Sequence, residues 1–172
     1  MTLTRTQLLT LVLAMCMVAG GIVIAMGQQP RNQGPASDAR LQPDQAAIRD
    51  YVLTMDKVKR YARLLRTIEA SKKDLVLRRE VEALRSEVAG KSLTETVTTL
   101  ERFPKISNMI RAAGLTPRDY VLLPMTILSS GMAMYVEQQG GKRPPYVNPA
   151  NIKFIKEHEA EISALDLSSK TK

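Results

Sequence analysis

YVLLPMTILSSGMAMYV, residues 120–136, runs for seventeen positions without a charge, and nothing else beyond the first thirty residues is as apolar. Signals for starting and stopping a helix stand on either side of it. Thr116 is a good N-cap, Pro117 suits the first helical position, and Asp119 supplies a short form of the capping-box acid at the positive end of the helix dipole. Leu115 and Tyr120 are spaced as a hydrophobic staple. Downstream, Gly140 and Gly141 accept the left-handed geometry that stops a helix, and Pro144 and Pro145 forbid its return. The spacing therefore predicts a helix over 117–139, about 23 residues and roughly 35 Å long. Pro124 removes one hydrogen bond, so a kink or local break is expected near Tyr120. A helix apolar on every side must be surrounded by other helices or by lipid. This run falls short of a membrane span and carries Ser129, Ser130 and Gly131, which favours a protein core in which a neighbour approaches closely.

The rest of the chain beyond residue 44 also reads as helix. Ile48, Val52, Met55, Val58, Ala62, Leu65 and Ile68 recur at spacings of three and four, which is a helical stripe. Within it, Ala46–Leu53 reads either as a first helical segment begun by Asp44 or as an extended lead-in to a helix capped at Thr54. Leu77, Val81, Leu84 and Val88 form the stripe of a second helix, roughly Asp74 to Val88, which Gly90 ends. Ser92-Leu93-Thr94-Glu95 is a capping box that opens a third, with Leu93, Val97, Leu100 and Phe103 inward. Pro104 begins a fourth, with Ile106, Met109, Ile110 and Ala113 inward and Gly114 as its C-cap. Asn148 and Pro149 open a last helix that is expected to run to Leu165, with Ile152, Ile155, Ile162 and Leu165 buried and Phe154 at the edge. No strand pattern and no internal repeat occurs.

Residues 1–27 read as a targeting segment. Arg5 supplies the positive start, Leu8 to Met26 the apolar stretch, and Ala25-Met26-Gly27 a cleavage site, with cleavage expected after Gly27. The apolar stretch is long for a cleaved signal, so the alternative is an inner-membrane anchor formed by residues 8–26. Cys16 follows Leu13-Ala14-Met15, but Met15 stands where a lipoprotein signal needs a small residue, so lipidation is not expected. Export, to the periplasm or beyond, is the expected location. Residues 28–44, rich in Gln, Pro and Gly, read as a flexible linker, and 168–172 as a frayed tail. The fold expected for 45–167 is an all-α, single-domain bundle of about five helices around the 117–139 helix.

Residues 28–172 contain no cysteine, which excludes disulfides and thiolate metal sites there. Arg5 aside, 24 Lys and Arg stand against 17 Asp and Glu, a net charge of +7. Exposed basic faces raise the local concentration of anions, so the partners this favours are an anionic envelope component or an acidic protein. Lys59, Arg63 and Arg66 recur on one face of the first long helix and are candidate anion or partner contacts, although a solvated face has the same pattern. Lys72, Lys73, Arg78, Arg79 and Arg85 continue the basic character. Arg118, Tyr146 and Asn151 are further candidates, lying with Asn148 near the starts of two helices where free backbone N–H groups hold anions. Nucleic acid is disfavoured by export and by the scarcity of aromatics for stacking. Membrane contact is expected only through residues 8–26.

Catalytic constellations are absent: there is one histidine, His158, and no carboxylates are paired inside an apolar stretch. His158 lies between Ile155 and Ile162 on the expected buried stripe and reads as a partly buried structural residue. No cofactor is expected. The alternative is an enzymatic or haem-like bundle using His158, with Met125, Met132 or Met134 as a second ligand, after the pattern of exported four-helix b-type cytochromes.

The run Ala113-Gly114-Leu115-Thr116-Pro117-Arg118-Asp119-Tyr120-Val121, followed by Asn148-Pro149-Ala150-Asn151, resembles small exported helical bacterial proteins of no assigned function. There, A-G-L-T-P-R-x-Y-V and N-P-A-N runs occur in the same order. The resemblance implies export and a helical fold, is loose before Thr54, and implies no catalytic residue.

Overall fold

The computed structural model describes residues 42–165 and 167. The expected signal segment, nearly all of the expected linker and the expected frayed tail lie outside them. Among the described residues the chain is entirely helical, with α1 (Pro43–Asp50), α2 (Met55–Ala70), α3 (Leu75–Val88), α4 (Leu93–Leu100), α5 (Pro104–Ala112), α6 (Pro117–Gln138), α7 (Pro149–Glu157) and α8 (Glu159–Ala164). These eight segments exceed the expected six, the central helix and about five around it, for two local reasons. Tyr51–Leu53 is not helical, which separates α1 from α2, and the last helix breaks at His158. Helix α1 takes in the last two residues of the stretch read as linker, Pro43 and Asp44.

Both readings of Ala46–Leu53 hold in part. A first helix forms, but Gln42 rather than Asp44 caps it, and the extended Tyr51–Leu53 then leads into a helix capped by Thr54, whose side chain accepts from the Lys57 amide. This interruption turns Val52 out of the apolar stripe, leaving it 55% exposed. Periodicity carried across a hidden break had placed it inward.

Helix α6 is the axis of the bundle, touched by α1, α2, α4, α5 and α7, while α3 joins through α4 and α5. Its start is as expected: Thr116 and Asp119 form a reciprocal capping box. It runs unbroken through Pro124, so of the kink or local break expected near Tyr120 the break does not occur. Leu122 and Leu123 are 2% and 0% exposed, and burying each such side chain contributes about 1.5–3 kcal/mol. Its far half departs from the expectation of burial on all sides. Ala133 and Met134 face a second small cluster with Val147 and Ile152, whereas Met132 and Tyr135 are 47% and 51% exposed.

Helix ends are capped across the fold as well as within each helix. Helix α5 begins at Pro104 behind Phe103, which has no capping side chain. Glu80 of α3 fills that role, accepting from the Lys105 and Ile106 amides at 3.2 and 3.1 Å. Asp44 does the same for α4, accepting from the Leu93 amide at 3.0 Å. Gly114, at φ +77°, closes α5, and its carbonyl accepts from Arg60 Nη1 at 2.9 Å. A Cβ here would meet that guanidinium and force a left-handed backbone on a side-chain-bearing residue.

Candidate functional site

The most connected polar centre is Asp119. One carboxylate oxygen, Oδ1, accepts from the Tyr51 hydroxyl at 2.8 Å and lies 3.0 Å from Lys57 Nζ. The other, Oδ2, accepts from the Thr116 amide at 3.0 Å and the Thr116 hydroxyl at 2.6 Å. Lys57 Nζ also stands 4.6 Å from the Tyr51 ring centre, within cation–π range. Partial burial alone would raise the Asp119 pKa. The Thr116 hydroxyl and amide, then Lys57 and Tyr51, outweigh burial and hold it at about 2. Burial and the Asp119 carboxylate push the Tyr51 hydroxyl far above its usual range, with the Arg118 charge opposing them. A carboxylate with every strong partner already inside the protein is a strut and has no free lone pair for a substrate.

A folded pKa of about 2 against 3.8 for the free side chain fixes the sign of the pH dependence. The stabilisation is complete above about pH 5 and is lost as pH falls through the folded value. Asp119→Asn is expected to lower stability by about 2 kcal/mol at pH 7, with the deficit closing near pH 2. Urea midpoints of both proteins at the two pH values check this. A deficit that stays constant between them would mean the charge is not what matters.

Asn151 is the second internal anchor. It is 1% exposed, donates from Nδ2 to the Tyr51 carbonyl at 2.7 Å and accepts from the Leu53 amide at 3.0 Å. Its amide thus mimics the neighbouring strand that the extended segment lacks. Asn148 caps α7 and donates to the Arg49 carbonyl at 3.0 Å. The expectation of Asn151 as a partner contact is therefore corrected, because its polar atoms are sealed inside. Tyr51 is where the two runs of the sequence resemblance converge: Asp119 holds its hydroxyl and Asn151 its carbonyl.

The remaining candidates fall in different places. Arg118 is exposed near Tyr51, and Tyr146 is half-buried against the Ala133, Met134, Val147 and Ile152 cluster. Lys59 is neutralised by Glu161 at 2.6 Å. Arg63 and Arg66 are exposed and have no carboxylate partner among the described residues. His158 is partly buried, as expected of a structural histidine. It terminates α7, its side chain is 37% exposed, its ring lies 4.7 Å from that of Phe154, and Nδ1 is 3.5 Å from Glu161. The nine residues of α7 end at His158 in a non-helical backbone at φ −113°. Met125 packs in the main core, Met134 in the second cluster, and Met132 is exposed. No group of three or more His, Cys, Asp and Glu side chains suited to a metal ion occurs among the described residues.

An open groove of about 630 Å³ lies between Arg49, Asp50, Arg143, Pro144, Pro145 and Asn148. Both of its arginines are already paired, Arg49 with Asp50 at 2.9 Å and Arg143 with Glu137 at 3.2 Å. Exposed cations without an ion pair among the described residues lie on α2 and at the turn into α3, with others at Arg85, Arg111, Arg118, Lys142 and Lys156. Lys73, Arg78 and Arg79 are exposed at that turn and have no carboxylate partner among the described residues. The sequence showed these three as basic. Of the nearby acids, Glu69 is occupied locally by Lys72, whereas the ties of Asp74 to Lys105 and of Glu80 to the start of α5 cross the fold.

No family model, characterised protein or solved structure matches this chain. Its class is defined by its own geometry: an all-α bundle in which Asp119 and Asn151 anchor Tyr51 from within, with exposed basic residues on α2 and at the start of α3.

Proposed function

We propose that the protein is an exported, non-enzymatic binding protein that holds an anionic component of the cell envelope on its basic surface. The observation that carries this is the uneven use of charge. Glu69, Asp74, Glu80 and Glu161 are each engaged within the protein, by Lys72, by Lys105, by the start of α5 and by Lys59. Arg63, Arg66, Lys73, Arg78 and Arg79 are left to solvent. Cations without carboxylate partners are the groups that release counterions to, and gain most from, a polyanion. Export is supported by Arg5, the apolar run from Leu8 to Met26, and the similarity of the Ala113–Val121 and Asn148–Asn151 runs to exported helical proteins. The domain either follows a cleaved signal or remains anchored by residues 8–26.

The test is binding to a soluble anionic polysaccharide and to vesicles containing anionic phospholipid, over rising salt. Binding to one or both that weakens steeply with salt is expected. Arg63→Glu/Arg66→Glu/Arg78→Glu/Arg79→Glu should abolish it while leaving the circular dichroism unchanged, since none of the four holds the fold together. Unaltered binding in that variant would overturn the reading.

A further inference from the structure

The corner between α2 and α3, Ser71 to Arg79, carries a feature that capping and packing leave unexplained. Leu75 and Val76 are adjacent, apolar, and 64% and 56% exposed. Helix α3 buries Leu77 and Val88, with Val81 and Leu84 packed against the core. At 3.6 residues per turn, Leu75 and Arg79 stand opposite that stripe, with Arg78 and Val76 on either side. The corner is held firmly in this attitude. Asp74 caps α3 through the Val76 and Leu77 amides at 2.9 and 3.1 Å and is tied to Lys105 Nζ at 2.7 Å. The cap needs no apolar residue at 75 or 76, and burial there is not used by the fold.

Around this pair stand Lys73, Arg78 and Arg79, none with a carboxylate partner among the described residues. The nearby acids are engaged: Asp74 with Lys105, Glu69 with Lys72 at 2.6 Å, and Glu80 at the start of α5. Glu82, roughly 10 Å along the helix from Leu75 and one turn beyond Arg78 and Arg79, makes no ion pair with either among the described residues. Two exposed apolar side chains at a rigid corner, ringed by free cations, match one surface chemistry: an apolar layer beneath a layer of phosphates.

We infer that the Leu75–Val76 corner is a lipid-inserting tip, placing both side chains below the headgroups of an anionic bilayer while Lys73, Arg78 and Arg79 engage the phosphates. This rests on the basic-surface reading above and assigns its partner as lipid. It also adds a membrane contact to the one expected of residues 8–26. The cations contribute attraction and orientation, and the apolar pair contributes depth.

The chain contains no tryptophan, so Leu75→Trp in the full chain gives a reporter at the tip that is independent of residues 8–26. Its emission is expected to shift to the blue on adding vesicles rich in anionic phospholipid, and to be quenched by lipids brominated in the acyl chain. Thr98→Trp, exposed on α4, should show neither. Lys73→Gln, Arg78→Gln and Arg79→Gln in the Leu75→Trp background should each weaken the response, by roughly fivefold in apparent affinity. Salt-sensitive vesicle binding without quenching at residue 75 would overturn the tip and leave the basic-surface reading intact. Binding to the soluble polysaccharide but not to vesicles, or a blue shift with the polysaccharide alone, would also overturn it. Absence of salt-sensitive binding to either probe would overturn both.

Discussion

Ile127→Asp is expected to leave the domain unfolded or aggregated. Ile127 is 7% exposed and belongs to the same cluster as Val121, Leu122 and Leu123. It sits on the helix against which five others pack, so a disturbance there reaches most of the molecule. Burying a carboxylate with no cation to meet it costs about 5 kcal/mol or more. That is comparable to the whole stability of a domain of this size, roughly 5–15 kcal/mol. Ile127→Val, which removes one methylene and adds no charge, should cost only about 1 kcal/mol. Circular dichroism and soluble yield of the two variants separate the outcomes. A cooperative melt near the wild-type temperature in the Asp variant would mean that α6 is not the core.

Asn151→Ala is expected to cost about 3 kcal/mol and to lower the melting temperature by about 10 °C. The substitution removes one side chain and strands two buried backbone groups, the Tyr51 carbonyl and the Leu53 amide. Each unpaired group costs about 1–3 kcal/mol. Asn148→Ala is the matched control, since it loses a helix cap and one bond to the Arg49 carbonyl at a more exposed position. Its cost should be about 1 kcal/mol. Denaturant midpoints measured side by side test the ranking. Equal losses would mean that water replaces Asn151 in its place between α7 and the Tyr51–Leu53 segment.

Much of this fold can be read locally. The reciprocal capping boxes of α4 and α6, the proline at the first position of α5, α6 and α7, and the glycines closing α5 and α6 all involve residues within a few positions of one another. The stripes of α3, α4 and α5 face the core for the same reason, because side chains three and four apart share a face. Errors arose where a helix stopped without a proline or glycine to announce it. Tyr51–Leu53 is held extended by a side chain about 100 residues away in sequence, and no local propensity reports that. At His158 the helix breaks where a continuous one was expected, with the partly buried histidine beside Phe154.

The candidate surface divides in the same way. That Lys59, Arg63, Arg66, Lys73, Arg78 and Arg79 are basic and off the apolar stripes follows from spacing alone. Which of them keep their charge free depends on where distant carboxylates go. Glu161 reaches Lys59 across 102 positions, and Lys105 reaches Asp74 across 31. Asn151 has the opposite history: the residue type suggests an exposed polar contact, and the fold makes it an internal one. The helical class and the apolar α6 axis were determined by the sequence itself, because capping and amphipathic periodicity act within one or two helical turns. The single attachment of Tyr51 to both Asp119 and Asn151, the surviving positive charges and the exposed Leu75–Val76 corner were decided only in three dimensions. Hydrogen bonds and ion pairs depend on a few ångströms of separation, which packing sets and distance along the chain does not.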